Sequence, residues 1–393
     1  MRQSIELFAG AGGLGIGIGR SGFRHAAVVE IDRYCRDTIE LNRSGGQADL
    51  THWPTVTTAD VRTFDYRSFA DQISLVSGGP PCQPFSLAGR HKAFADSRDM
   101  FGEAVRAVRE LRPQAFIFEN VKGLTRDRFA TYLEYITLQM NYPEIVGRAG
   151  KDWTDHLLRL EQHHTSGSRS GLQYRVVREV LNAANYGIAQ KRERVFFVGF
   201  RSDLGIRWAF PKATHSLDAL LIEQRRGGRY WDRHRIARGV DHLSARAQAR
   251  MVRLTEKHAD LPWMTVRDAL IDLPLPSRAG TVSAIVNHTF QPGARSYPGH
   301  TGSHYDEPAK TLKAGVHGVP GGENMLFDPV SGKVRYFSVR ESARLQTFPD
   351  DFHFHGCWSE TMRQLGNAVP VRLAEIVATS VERALATLKR GRS

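Results

Sequence analysis

Short apolar runs alternate with helical patterns through the first half of the chain. Helical patterns cover residues 32–42 and 97–111, and the predicted strands are residues 4–8, 26–31, 73–78, 115–120, 174–181 and 194–200. Strands separated by helices favour a parallel sheet that is covered on both faces. The alternation therefore predicts an α/β fold with a doubly wound, mostly parallel sheet. Ligands of such folds bind at the carboxyl ends of the strands.

The length of 393 residues exceeds that of a typical single core and predicts two lobes. Residues 212–335 are rich in Arg, His, Gly and Pro and have poor periodicity, which indicates a second, smaller domain of loops and short strands. Residues 141–172 are polar and predict an irregular surface insertion in the first domain, residues 1–211. Residues 336–393 are expected to return to that first domain, with a helix at about 359–389.

The chain carries 54 Lys and Arg residues against 41 Asp and Glu residues, a formal net charge of +13. A basic protein attracts polyanions, although an arginine-rich composition without functional meaning explains the charge equally well. No apolar segment approaches the roughly 18 residues of a membrane span, and no secretory segment precedes the first strand, so a cytoplasmic protein is expected. Cys35, Cys82 and Cys357 lie far apart, which argues against disulfides and a structural zinc site.

A glycine-rich segment follows the first strand and opens the first helix. Gly10, Gly12 and Gly15 fit the pattern G-x-G-x-x-G, in which glycines permit a tight turn and let the backbone approach a ligand at the helix start. Glu30 ends the second strand about 20 residues later, where a carboxylate accepts hydrogen bonds from both ribose hydroxyls. The spacing predicts a nucleotide-like ligand and leaves NAD, FAD and S-adenosylmethionine as alternatives.

Two further residues are candidates for the same ligand. Asp60 lies near the end of a predicted third strand and would receive an adenine amino group. Phe8 is either part of the strand core or an aromatic ring that stacks on adenine.

A proline-rich loop with one cysteine follows the strand at residues 73–78. Prolines at positions 80, 81 and 84 stiffen the backbone around Cys82, so the thiol is expected to be presented to a ligand rather than packed in a core. Glu119 ends another strand of the same sheet and is expected to face the same crevice. Arg192 and Arg194 alternate before a strand and are expected to point to one face, although a solvated run of charge explains them as well.

Taken together, these segments resemble the DNA (cytosine-5)-methyltransferase family, in its bacterial restriction–modification form. The order of the motifs carries the resemblance: LFAGAGGLGIGIG, VVEID, ADVR, GGPPCQPFS, FENVKGL, QKRERVFFVGF, RESARLQTFPDDF and LGNAVP. The resemblance reaches both ends of the chain and leaves residues 141–172 and 212–335 unassigned. It implies a Rossmann-like domain that binds S-adenosylmethionine, without a metal, and a DNA target-recognition domain at residues 212–335.

The resemblance also implies a role for individual residues. Cys82 matches the nucleophile, Glu119 the residue that engages cytosine N3, and Arg194 the arginine that braces the cytosine carbonyl; Arg192 and Gln190 would support that corner or contact phosphate. Ser86 and Arg90 are candidates for contacts with the DNA backbone. The residues expected to line the cofactor pocket are Phe8, Gly10, Gly12, Glu30, Ile31, Asp60, Pro81, Asn367 and Val369, with Ile31 packed against the adenine.

The implied partner is duplex DNA, bound by one copy of the chain, and a cognate restriction endonuclease is expected in the same system. The nearest alternative is the same chemistry on tRNA, which the catalytic motifs do not exclude. The size and Arg, His and Gly content of residues 212–335 favour DNA. A nicotinamide oxidoreductase would leave Cys82 and Glu119 unexplained, and their presence also argues against a catalytically silent DNA-binding protein.

Overall fold

In the computed structural model, the described residues are 1–81, 100–225, 228–236, 243–254, 259–276, 285–298, 300–314, 322–328 and 331–390. The strands are β1 (Arg2–Leu7), β2 (Phe23–Val29), β3 (Leu75–Gly78), β4 (Ala115–Val121), β5 (Tyr174–Asn182), β6 (Gln190–Lys191), β7 (Glu193–Arg201), β8 (His215–Ser216), β9 (Leu261–Pro262), β10 (Ser303–His304), β11 (Ala309–Lys310), β12 (Met325–Asp328) and β13 (Lys333–Tyr336). The α-helices are α1 (Gly13–Arg20), α2 (Arg33–Ser44), α3 (Phe101–Leu111), α4 (Ala130–Asn141), α5 (Trp153–Thr165), α6 (Leu217–Glu223), α7 (Arg229–Arg233), α8 (Ala245–Met251), α9 (Val266–Leu270), α10 (Val339–Leu345), α11 (Trp358–Asn367) and α12 (Val371–Arg390).

A six-stranded sheet organises the chain, with the strand order β2-β1-β3-β4-β7-β5. Strands β2, β1, β3 and β4 pair in parallel, whereas β7 pairs antiparallel with both β4 and β5. The mostly parallel α/β sheet predicted from the sequence is therefore confirmed. The reversed direction of β7 has a local consequence, because it brings the first residues of β7 to the carboxyl end of β4, where Arg194 pairs with Val121.

Both faces of the sheet are covered by apolar side chains. Ile5 and Leu7 of β1 pack in one core with residues of α3 and α4. Leu14 of α1 packs in a second core with residues of β4, β7 and α12. Burial on both faces explains why the predicted strands are almost continuously apolar.

The helix predicted at about 359–389 is two helices, because the chain breaks between α11 and α12 at Pro370. Proline lacks the N–H that a continuous helix would require, but it is compatible with the start of a helix. Helix α12 packs closely on α1, since a Cβ on Gly17 would lie 2.6 Å from Val371 O. The last segment therefore contacts the helix that follows β1.

The sequence predicts an irregular insertion at residues 141–172, but the structure shows a helix there. These residues contain α5, which begins after Asp152; the carboxylate of Asp152 accepts hydrogen bonds from the N–H groups of Thr154 and Asp155. Leu157 and Leu160 of α5 pack against α4. The prediction relied on the polar composition of this segment and missed the helix. An amphipathic helix on the surface needs only a narrow apolar stripe, so it can be polar overall.

Residues 212–335 contain short helices as well as the predicted loops and short strands. Helices α6, α7 and α8 enclose a small apolar core around Trp231, while α9, β11 and β12 share another core with Phe337 and Leu345. The second core joins this part of the chain to α10. None of the described helices is long and apolar enough to cross a membrane.

Candidate active site

A cavity of about 870 Å³ opens at the carboxyl ends of β1, β2, β3 and β4. This is the edge at which parallel sheets bind ligands, and the volume suits a molecule of cofactor size. Residues from the loops after these strands line the cavity together with residues of α11. The predicted residues that line it are Phe8, Gly10, Glu30, Ile31, Asp60, Pro81, Glu119, Arg194, Asn367 and Val369.

The glycine loop forms the floor of the cavity between β1 and α1. Phe8, Gly10 and Gly12 have positive φ angles of 53°, 54° and 88°. A Cβ on Gly10 would meet no atom within 4 Å, so this backbone leaves open space for a ligand, whereas a Cβ on Gly13 would lie 2.4 Å from Val369 O. Gly12 differs from its prediction: it precedes α1 and faces the Trp53 ring rather than the cavity.

A buried carboxyl group lies beneath this loop, on the side of the sheet that α1 covers. Glu6 of β1 accepts a hydrogen bond from Ser77 of β3, and a Cβ on Gly15 would lie 3.5 Å from its Cγ. Burial raises the pKa of Glu6 to about 8, and the bond from Ser77 opposes that rise. The carboxyl group is therefore expected to remain protonated at neutral pH.

We expect the free energy of unfolding to fall as pH rises from the ordinary Glu pKa of 4.5 to about 8. In that window the unfolded chain ionises residue 6 while the folded chain keeps it neutral, so protons stabilise the fold. A Glu6→Gln variant should lose this part of the pH dependence, which urea unfolding at a series of pH values would measure. Equal pH slopes for the variant and the wild type would contradict the expectation.

Glu30 lies at the end of β2 with both carboxylate oxygens at the cavity wall. Oε2 accepts a hydrogen bond from Gly10 N at 2.7 Å, and Oε1 accepts one from Asp32 N at 2.7 Å. Burial raises the pKa of Glu30, and these backbone N–H groups oppose the rise. Each oxygen keeps lone-pair capacity for one more donor, which matches a pair of ribose hydroxyls. Ile31 follows it as a 63% exposed apolar side chain at the cavity.

Asp60 lines the cavity, but no strand leads to it. In this segment only a bridge between Val29 and Thr57 extends the sheet. Asp60 accepts hydrogen bonds from the Arg62 guanidinium, which lower the pKa of its carboxyl group. Arg62 also lines the cavity and was not anticipated from the sequence.

Helix α11 and the residues that follow it supply the opposite wall, where Asn367 and Val369 line the cavity. Sequence reasoning missed Arg363, which lies one helical turn before Asn367 and lines the same cavity. Its guanidinium donates to Asp32 at 2.9 Å and lies 2.7 Å from Glu360. The periodicity of a helix face was the available signal, because residues four positions apart share that face.

Glu119 and Arg194 form an ion pair at the end of the cavity beside the loop after β3. Nε of Arg194 lies 2.8 Å from Oε1 of Glu119, and the two side chains are only 10% and 8% exposed. Burial raises the pKa of Glu119, whereas the charges of Arg194 and Arg192 oppose the rise. The pair therefore places a carboxyl group with a raised proton affinity next to a fixed cation.

Asn120, which sequence reasoning did not single out, connects this pair to the proline-rich loop. Its Nδ2 donates to Pro80 O at 2.9 Å, and its Oδ1 accepts from Val121 N at 2.8 Å. This bond joins the start of the loop after β3 to β4, and both Pro80 and Pro81 line the cavity. Cys82, Ser86 and Arg90 lie outside the described residues.

Gln190 and Arg192 are not at the cavity, which corrects part of their predicted role. Both side chains are fully buried, so in this structure neither is open to a phosphate. Arg192 donates to Leu312 O at 2.9 Å and to Gly366 O at 2.7 Å, and Gln190 donates to Leu345 O at 3.2 Å. Arg192 thus connects the residue before β7 to the segment that carries Asn367, and Gln190 connects β6 to α10.

The family model of the C-5 cytosine-specific DNA methylases matches residues 2–142 and 165–383. The chain belongs to this family. The gap in the match falls on the segment that contains most of α5. Most of helix α5 therefore lies outside the residues that the family model matches.

Curated relatives in the same family extend over nearly the whole chain. The chain is 29% identical to Type II methyltransferase M.NgoMIV of Neisseria gonorrhoeae, over 97% of each protein. It is 33% identical to Type II methyltransferase M.AquIA of Picosynechococcus sp., over 74% of this chain and 96% of that protein.

Solved structures support the fold. A putative DNA modification methyltransferase from an E. coli prophage aligns with a TM-score of 0.60 and 20% identity, covering 98% of this chain and all of that one. The Dnmt2 methyltransferase of S. pombe aligns with a TM-score of 0.55 and 15% identity, covering 99% of each chain.

Proposed function

We propose that this protein is a DNA (cytosine-5)-methyltransferase that methylates duplex DNA with S-adenosylmethionine as the methyl donor. The buried pair of Glu119 and Arg194, at the cavity end that the Pro80–Pro81 loop enters, is the observation that carries the proposal. The Type II methyltransferases among its relatives support DNA as the substrate. They also support a role as the modification enzyme of a restriction–modification system, with a cognate endonuclease as its partner.

The part of the cavity next to Gly10 and Glu30 fits S-adenosylmethionine. The open backbone at Gly10 accommodates the ligand, Glu30 would accept the ribose hydroxyls, and Ile31 offers an apolar contact to the adenine. Asn367, at the end of α11, would contact the part of S-adenosylmethionine beyond its ribose and adenine. When bound, S-adenosylmethionine supplies a methyl group activated by its positively charged sulfur.

Cytosine carbon 5 becomes nucleophilic only when the conjugation of the ring is broken. A thiolate of Cys82 would add to carbon 6 and make carbon 5 an enamine carbon. Negative charge develops on the ring in this step, so the Glu119 carboxyl group at N3 and Arg194 at the carbonyl would stabilise it. After methylation of carbon 5, loss of its proton would release the thiolate.

The target carbon is inaccessible in a stacked duplex, so the cytosine must be turned out of the helix into the cavity. We assign residues 1–211 and 336–393 to the catalytic domain and residues 212–335 to target recognition. One copy of the chain, in the cytoplasm, is expected to act on each site. The net charge of +13 favours association with DNA.

Incubation with duplex DNA and S-adenosylmethionine labelled in the methyl group tests the proposal. We expect label at carbon 5 of cytosine in DNA, and bisulfite sequencing of DNA from cells that express the protein would locate the site. Label on tRNA and not on DNA would support the alternative substrate. Absence of label on both, with an active control enzyme in parallel, would refute the proposal.

The role of Glu30 gives a separate expectation for cofactor binding. A Glu30→Gln variant should bind S-adenosylmethionine about tenfold more weakly or worse, because an amide replaces one acceptor oxygen by a donor and removes the charge from both bonds. Isothermal titration would measure the Kd, with Glu179→Gln on β5 as a control for loss of one exposed carboxylate. An unchanged Kd in the Glu30 variant would exclude the ribose contact.

A further inference from the structure

A short ridge follows β4 and borders the mouth of the cavity. It comprises residues 121–129 and is called the β4-exit ridge here. Val121 lines the cavity and is 43% exposed, so the ridge begins at the cavity itself. Lys122 ties it to β7 through an ion pair of 2.8 Å with Glu193, one residue before Arg194.

The ridge has a defined shape. Leu124 is fully buried in the core beneath it, and two short 3-10 turns cover residues 122–125 and 127–129. Thr125 Oγ1 donates to Lys122 O at 2.9 Å, and Phe129 N donates to Arg126 O at 2.8 Å. The backbone of such a segment is already ordered, which lowers the entropic cost of binding a partner.

Arg126 and Arg128, unlike Lys122, are not engaged in an ion pair within the part of the chain that the structure describes. Both are exposed. The Arg128 guanidinium lies 4.5 Å from the centroid of the Phe129 ring, which holds it in place. Two arginines that line the cavity, Arg62 and Arg363, are by contrast paired with carboxylates.

Asp127 lies between the two arginines in sequence, but its side chain borders a different surface feature. It lines a separate groove with Leu133 and Leu157, between the helices α4 and α5. Arg126 and Arg128 do not line that groove. The acidic side chain therefore lies towards the helices, and the two arginines, which have no ion-pair partner in the part of the chain that the structure describes, lie on the rest of the ridge.

We propose that the β4-exit ridge binds the sugar–phosphate backbone of DNA next to the extruded cytosine, with Arg126 and Arg128 on phosphates. The inference rests on the proposed function. A cytosine that enters the cavity stays attached to its strand, so the neighbouring phosphates must lie at the cavity mouth. Exposed arginines on the segment that continues from Val121, which lines the cavity, offer planar, permanently charged donors to phosphate oxygens. The ridge positions the strand and carries no sequence information.

The test compares a ridge variant, Arg126→Gln with Arg128→Gln, with a control variant, Arg24→Gln with Arg383→Gln. The control removes the same charge from exposed residues at the start of β2 and on α12. We expect the Kd of the ridge variant for duplex DNA to rise roughly tenfold, and its dependence on log salt concentration to lose about two units of slope. The control variant should change much less. The kcat at saturating DNA and the affinity for S-adenosylmethionine should match the wild type.

Wild-type methylation of DNA is measured first, so that failure of the proposed function is separated from failure of the ridge. If the wild type does not methylate duplex DNA, both proposals fall. If it does, and the ridge variant has the salt slope and Kd of the control variant, the ridge proposal alone is overturned.

A second measurement locates the contact once the target cytosine is mapped. Neutral methylphosphonates are placed, one at a time, at the phosphates that flank it. At one or more positions the methylphosphonate should weaken DNA binding by the wild type. The same replacement should weaken binding by the ridge variant much less, because that variant lacks the arginines that would contact the phosphate. Equal losses at every position would contradict the proposal.

Discussion

A Cys82→Ala variant is expected to transfer no measurable methyl group to DNA and to bind S-adenosylmethionine nearly as tightly as the wild type. Alanine cannot add to carbon 6, and without that bond carbon 5 remains a poor nucleophile, so the rate should fall by orders of magnitude. The groups assigned to the cofactor, among them Gly10 and Glu30, are unchanged. Methyl transfer from labelled S-adenosylmethionine and isothermal titration would measure the two properties. A fully active variant would refute the assignment of the nucleophile.

Duplex DNA with 5-fluorocytosine at the target position tests the same assignment directly, by trapping the covalent intermediate. The fluorine cannot leave as a cation, so the reaction should stop as a covalent adduct of Cys82. The experiment is best done in a Cys357→Ser background, because Cys357 is exposed and hydrogen bonding from Ser359 lowers the pKa of its thiol. Cys35 needs no change, because it is buried and burial raises the pKa of its thiol. An adduct that forms equally well in Cys82→Ala would exclude the proposed route.

A Glu119→Gln variant is expected to lower kcat by about 10²- to 10³-fold. Glutamine preserves the shape but cannot give a proton to N3, and it removes the charge that holds Arg194 at 2.8 Å. The KM for S-adenosylmethionine should change little, since the residues assigned to the cofactor, among them Glu30 and Asn367, are unchanged. Single-turnover methylation at saturating DNA would separate the chemical step from binding.

The matched control for this substitution is Glu179→Gln, which removes an exposed carboxylate from β5. It should leave single-turnover methylation within the error of the wild type. A Glu119 variant that reacts as fast as this control would show that the carboxyl group takes no part in the rate-limiting chemistry.

The cavity wall at β1 and β2 was predictable because its residues are close in sequence. Phe8, Gly10 and Glu30 follow two adjacent parallel strands, and the carboxyl ends of such strands meet at one edge. Gly12 was misplaced for a local reason. Its φ of 88° shapes the turn before α1, and the residue that makes the close approach to Val369 is Gly13.

The corner at Arg192 and Arg194 was predicted in part. Alternation along one continuous strand would place both side chains on the same face, but the chain breaks between β6 and β7 at residue 192. Arg192 therefore turns towards Leu312 and Gly366, and only Arg194 reaches Glu119. A register that depends on a distant segment is not visible in a local pattern.

The remaining differences arise where composition was used in place of periodicity. Residues 141–172 are polar overall, yet Leu157 and Leu160 of α5 pack in an apolar cluster with Leu138 of α4. Pro370 divides the last helical stretch and was a signal that the sequence offered.

Helix α11 completes the cavity only after a chain separation of more than 300 residues from Glu30. Helix α12 then packs on α1, and Arg2 contacts Glu382 across nearly the full sequence. Pairings this distant are made late in folding, because the loop between them must close first. During synthesis, a nascent chain from which residues 358–390 are still missing lacks one wall of the cavity. We therefore expect such a chain to be unable to modify DNA until this segment has been made.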